Sequence, residues 1–138
     1  MSLVLDASVI AKWYNQEPWS EKAARLKDEY VSGRLRLAAP TLALYEVGNA
    51  IRKNSQLTQE EARDACLSAA AFLRGIAEAP RPDEVSTILT LALRLELTYY
   101  DASYVHLATK HRVTFVTADN ELIVKAAKAV TVVHLRDF

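Results

Sequence analysis

The sequence predicts an α/β fold, a three-layer sandwich in which a mostly parallel sheet of about five strands carries helices on both faces. Two observations carry that reading. Short apolar or β-branched runs at residues 3–5, 35–38, 113–117 and 131–135 alternate with longer segments at helical spacing, the order that βαβ units require. Leu3, Val4 and Leu5 show no polar alternation, as expected of a strand covered on both faces. Residues 76–79 supply a weaker strand before Pro80 and Pro82.

The elements follow in order. Asp6 ends the first strand and a helix spans about residues 7–14; Pro18 breaks the pattern. Ser20 then reads as the cap of a helix with Glu21 in its first turn, carried by Ala24, Leu26 and Tyr30 to Gly33. Pro40 and Thr41 open a helix with Leu44, Val47 and Ile51 on one face and Glu46, Asn49 and Lys53 on the other. Thr58 and Glu61 have the spacing of a capping box, and that helix runs toward Arg74 and stops at Gly75. Residues 84–96 are apolar over most of a helix's girth, so that helix is either buried or meets a second copy of itself. Residues 102–111 form a helix opening at or beside Asp101, and the last helix spans about residues 120–129.

The totals exclude several classes. A chain of 138 residues is the size of one domain, residues 1–138, with no linker or repeat. Hydrophobic residues at 51% and charged residues at 25% are ordinary for a globular protein. Balanced charge, 17 Lys and Arg against 17 Asp and Glu, leaves no global field to gather nucleic acid, so a polyanion must be held locally. The single Cys66 reads as a buried, inert thiol, which suits a reducing cytoplasm. No stretch reads as an export signal or a membrane span.

Four acids converge on one edge. Asp6 follows the first strand directly, and Asp119 follows the fourth after Ala118. The helix opening at Asp101 joins the next strand by a turn too short for anything but an antiparallel return. About ten helical residues span about 15 Å and five strand residues about 16 Å, so Asp101 comes back beside Asp119. Glu46, in the second turn of a helix leaving the same edge, points away from Leu44, Val47 and Ile51. Taken singly, each aspartate also reads as a helix cap and Glu46 as part of a solvated face. Taken together, carboxylates within about 4 Å repel by about 4 kcal/mol per pair at an effective dielectric near 20, so a fold gathers them around a cation or a shared proton. Oxygen donors without His or Cys point to Mg²⁺ or Mn²⁺, which can activate a water against a phosphodiester.

Other residues have two readings each. Ser8, Thr117 and Asn120, with Ser103, stand near the acids as supports or as ordinary caps. Lys12, Arg52, Lys53 and Lys110 are either a phosphate-binding rim or scattered solvated charges. His106, His111 and His134 share no ligand spacing and read as core or surface residues. Trp13, Tyr14, Tyr99 and Tyr100 could stack on bases but fit the core as well.

Four ordered blocks carry a resemblance: VLDASVIAKW from Val4, PTLALYEVGNAIRK from Pro40, LTYYDASYVHLA from Leu97 and FVTADNEL from Phe115. With their spacing, the chain resembles the PIN-domain ribonucleases, in particular the VapC toxins of toxin-antitoxin pairs. The resemblance implies a PIN-like sandwich, an acidic metal site of Asp6, Glu46, Asp101 and Asp119 supported by Thr117 and Ser8, and Mg²⁺- or Mn²⁺-dependent endonucleolytic cleavage of RNA to 5′-phosphate and 3′-hydroxyl ends. It also implies a homodimer and a VapB-type antitoxin whose C-terminal segment lies across the cleft. Asn120 stands where some members have a further acid, which bears on a second metal. The competing readings are a signalling or scaffold domain that binds Mg²⁺ without cutting, and a PIN nuclease unpaired with an antitoxin. A phospho-acceptor module would need paired acids after the first strand, and Asp6 has no acidic neighbour.

Overall fold

Strands β1 (Ser2–Leu5), β2 (Arg36–Pro40), β3 (Ala77–Glu78), β4 (Thr114–Thr117) and β5 (Val132–His134) form one sheet in the order β3-β2-β1-β4-β5. Every neighbouring pair is parallel in this computed structural model, which describes residues Met1–Phe138. β1 is the middle strand, and Leu3, Val4 and Leu5 are all buried, as an unalternating apolar run requires.

The chain steps from β1 outward to β2 and β3, then crosses back over β1 to β4 and β5. Right-handed crossovers in opposite directions put their helices on opposite faces. One layer therefore holds α1 (Ala7–Ile10), its 3-10 continuation Ala11–Trp13, α2 (Ser20–Val31), α3 (Ala43–Arg52) and α4 (Gln59–Leu73). The other holds α5 (Pro82–Leu95), α6 (Tyr99–His111) and α7 (Asn120–Ala126). α6 packs across β2, β1 and β4 and carries α5. β1 and β4 are thus adjacent strands whose following helices leave to opposite sides, which opens a crevice at their carboxyl ends. The main core joins both helical layers through the sheet, with Tyr104 of α6 stacked on Phe115 of β4 at 5.9 Å, and Ile88, Ala92 and Ala102 form a small second cluster between α5 and α6.

The predicted capping box is present: Thr58 Oγ1 accepts the Glu61 N–H at 3.1 Å, and Glu61 Oε1 accepts the Thr58 N–H at 2.9 Å. Several expectations need correcting. Ser20 is the first residue of α2 and not its cap; its buried hydroxyl accepts the Glu17 N–H and donates to the Asn15 carbonyl. Leu44 is exposed, and Ala43, Val47 and Ile51 form the buried stripe of α3, which packs on α4 and α1. Asp101 does not cap α6: Thr98 does, accepting the Asp101 N–H at 3.0 Å. Cys66 is only partly buried. No helix is long and apolar enough to cross a membrane.

α5 departs most from its sequence reading. It buries Ile88, Ala92 and Leu95 but also Glu84, and leaves Val85, Leu89 and Leu93 exposed along one stripe. Glu84 is tolerated inside because two cations and an imidazole meet it: Lys110 at 3.1 Å, Arg81 at 3.1 Å and His106 Nε2 at 2.8 Å. Lys110 reaches on to Glu78, which also meets His111. His106 and Lys110 beside it, with Arg81, hold the Glu84 carboxyl down to about 2. A depressed carboxyl pKa adds stability that is present above its ordinary value of 4.5 and is lost as pH falls through the folded-state value. Acid unfolding of the wild type should steepen between about pH 4.5 and 2, and Glu84→Gln should flatten that limb; superimposable acid slopes would show that the network does not stabilise the fold.

Candidate acidic site at the carboxyl edge

Parallel register dictates the first contact. Leu5 is paired with Val116, and the Asp6 N–H donates to the Val116 carbonyl at 2.9 Å, so Asp6 leaves β1 level with Thr117. The Thr117 hydroxyl donates to Asp6 Oδ2 at 2.9 Å and accepts the Asp119 N–H at 3.1 Å. Ser8 repeats the arrangement: its hydroxyl donates to the same Oδ2 at 2.6 Å and accepts the Ala118 N–H at 3.1 Å. Because a backbone N–H occupies a lone pair of each hydroxyl, both hydroxyl protons are committed to Asp6. The two bridges tie the end of β1 to the turn that carries Asp119.

Three of the four predicted acids use one oxygen for position and leave the other unbonded. Asp6 uses Oδ2 as described. Glu46, in the first turn of α3, takes the Tyr104 hydroxyl on Oε1 at 2.7 Å. Asp119 caps α7, with Oδ1 accepting the Glu121 and Leu122 N–H groups at 2.9 and 3.3 Å. Its capping role is therefore real and compatible with a second role for Oδ2. Asp101 sits in the first turn of α6, positioned by the Thr98 cap on its own backbone.

The acids feel one another. Burial pushes the Asp6 carboxyl above the ordinary carboxylate range, the Ser8 and Thr117 hydroxyls pull it part of the way back, and the Asp101 and Asp119 charges raise it further. Glu46 is raised by burial and then by Asp6 and Asp101, with the Tyr104 hydroxyl opposing. Asp101 is raised by burial and by Asp119, offset by Thr98 and Lys125. Burial and the neighbouring carboxylates raise the Tyr104 hydroxyl too, so it stays protonated and donates. The side chains stand apart: no three His, Cys, Asp or Glu groups are close enough together to enclose an ion. What fits a divalent cation is the chemistry of the set, four carboxylates with free oxygens and no thiolate or imidazole.

The remaining predicted residues are distributed as follows. Ser8 and Thr117 are at the site. Asn120 is exposed beside Asp119 and accepts Arg136 Nη1 at 3.0 Å. Ser103 turns its hydroxyl back to the Tyr99 carbonyl. Arg52 and Lys53 are exposed at the far end of α3 from Glu46. Lys12 is not a rim cation: it is buried against Glu17 at 2.8 Å. Lys110 is not one either, because it lies in the last turn of α6, opposite to Asp101, and is engaged by Glu84 and Glu78. Sequence reading missed Tyr104 and Thr98. The S/T-x-x-acid spacing from Thr98 to Asp101 was the available signal for the latter.

The PIN domain family model matches residues 3–128. Ribonuclease VapC3 of Pyrobaculum aerophilum is 34% identical over 134 residues, covering 95% of this chain and 99% of the relative. Exonuclease VapC9 of the same organism is 35% identical over 107 residues, covering 76% and 78%. The crystal structure of PAE2754 from Pyrobaculum aerophilum superimposes with a TM-score of 0.71 at 25% identity, covering 99% of this chain and 94% of that one. Match, identity and fold agree over nearly the whole length, and the chain belongs to the PIN-domain family, among its VapC-type members.

Proposed function

We propose that this chain is a divalent-cation-dependent endoribonuclease that acts as the toxin of a toxin-antitoxin pair. What supports the reading is that Asp6, Glu46, Asp101 and Asp119 come from four separate elements, lie near enough for their charges to act on one another, and in at least three cases keep an unbonded oxygen. A structural role would leave no reason to concentrate uncompensated negative charge at a switch point. The likeness to VapC3, named a ribonuclease, supports RNA as substrate.

Asp6, Glu46, Asp101 and Asp119 would hold Mg²⁺ or Mn²⁺. When bound, such an ion supplies positive charge for the phosphate and lowers the pKa of an attacking water. Hydrolysis joins the water oxygen to phosphorus and breaks the bond to the 3′ oxygen, which takes the proton; the ends are a 5′-phosphate and a 3′-hydroxyl. The chain's own part is to hold the donors. Ser8 and Thr117 fix Asp6, the buried Tyr104 hydroxyl fixes Glu46, Thr98 sets the start of α6 beneath Asp101, and the α7 cap orients Asp119. A VapB-type antitoxin is the expected protein partner, the cytoplasm the expected compartment, and the exposed Val85, Leu89 and Leu93 stripe favours a homodimer.

The direct test is cleavage of an end-labelled single-stranded RNA with Mn²⁺, with Mg²⁺ and with EDTA. Metal-dependent internal fragments should form with the wild type and be lost, by at least about a hundredfold in rate, with Asp101→Asn. Release of mononucleotides alone would make the enzyme an exonuclease, as its relative VapC9 is named, and equal cutting by the variant would remove Asp101 from the site. Stability gives an independent readout. Carboxyl groups raised in the folded state oppose folding when ionised, so in EDTA at neutral pH Asp101→Asn should melt at a higher temperature than the wild type. Mn²⁺ should then raise the melting temperature of the wild type more than that of the variant. A variant that melts lower in EDTA and gains as much from Mn²⁺ would contradict the site.

A further inference from the structure

Trp19 is unusual in backbone and side chain together. Its φ of 65° places a bulky residue in the left-handed region, where glycine or asparagine would hold the same turn more easily. The residue is left 38% exposed, whereas Trp13, the other tryptophan, packs on Phe72 and donates its indole N–H to the Ala23 carbonyl. The one ring Trp19 meets is His134, edge-on, with centroids 5.0 Å apart.

His134 leads from there to the acidic edge. It is 2% exposed and fully engaged: Nδ1 accepts the Arg136 N–H at 3.0 Å, which leaves the proton on Nε2, and Nε2 donates to the Ala118 carbonyl at 3.1 Å. Ala118 precedes Asp119. Arg136 returns to the same place from the other side, with Nη1 donating to Asn120 Oδ1 at 3.0 Å. Its only ion pair is with exposed Asp137 at 3.6 Å, a pair that holds a guanidinium weakly. Lys22, one turn beyond Trp19 on α2, donates to the carbonyls of Arg136 and Phe138 and so ties the tryptophan's helix to the arginine's turn. The indole thus reaches the turn that carries Asp119 through His134, and a loosely paired guanidinium meets the same turn at Asn120.

Such a group would help to hold phosphates against the acidic edge of a chain with no net charge, since Lys12 and Lys110 are neutralised elsewhere. An exposed indole offers a sequence-tolerant stacking platform, and a guanidinium matches two phosphate oxygens at once. We propose that Trp19 and Arg136 form a nucleotide subsite on the β5 side of the acidic edge, the indole stacking on a base of single-stranded RNA and the guanidinium taking an adjacent phosphate. The subsite rests on the nuclease reading above.

The test is fluorescence anisotropy with a fluorescein-labelled oligouridylate in EDTA, so that nothing is cut, read beside metal-dependent cleavage by the same preparations. Trp19→Ala should weaken binding roughly tenfold or more and Trp19→Phe should recover most of it. Arg136→Gln, which keeps a donor for Asn120, should lower the slope of log affinity against log salt by about one. RNA should quench indole emission in the wild type and not in Trp19→Phe, a change that a merely structural tryptophan would not show. Trp19→Ala and Arg136→Gln binding as the wild type does, or Trp19→Phe as weak as Trp19→Ala, would overturn the subsite while cleavage stands. Absence of cleavage by the wild type would instead overturn the nuclease reading.

Discussion

Two hydroxyls hold this structure's chemistry in place. Thr117 and Ser8 each give a proton to one oxygen of Asp6 and each take a backbone N–H from the turn beyond β4. Without them a nearly buried carboxylate at the end of the middle strand would be unsatisfied, and the turn that positions Asp119 would lose its tie to β1. The arrangement follows from parallel register, because Asp6, the residue after β1, comes level with Thr117, the last residue of β4. The fold and the site are in this sense one interaction: the pairing that completes the sheet also places two acids and their supports.

The other two acids arrive by helices, and each has its own anchor. Glu46 depends on Tyr104, which reaches from α6 through the core and is itself stacked on Phe115 of β4. Asp101 depends on the Thr98 cap and on the seating of α6, which the Glu84 network fastens to α5 and β3 at the far end of the helix. Rigid elements with buried anchors thus hold mutually repelling groups that would otherwise spread. The Asp6, Glu46 and Asp101 carboxyls are raised, first by burial and then by one another's or Asp119's charge.

Much of this was legible in residue order. An unalternating apolar run announced the middle strand, Thr58 and Glu61 announced a cap, and helix and strand lengths brought Asp101 back to Asp119. What escaped depended on rotation and on partners distant in sequence. Whether Leu44 or Ala43 faces inward turns on how α3 packs against its neighbours. That Glu84 is buried depends on cations up to 26 residues away, and that Lys12 is spent depends on a loop folding Glu17 back onto it. Trp19 carried no signal at all, because its importance lies in a backbone angle and in a histidine from the opposite end of the chain.

The central claim is that the four carboxylates form one cation site. It is tested most directly by a crystal structure of the protein grown with Mn²⁺ and measured for anomalous scattering. The account predicts a peak in the crevice between β1 and β4, ligated by Asp6 and Asp101 with Glu46 or Asp119 directly or through water. A crevice without a peak, or a peak at the Glu78, Glu84 and His106 cluster instead, would contradict it.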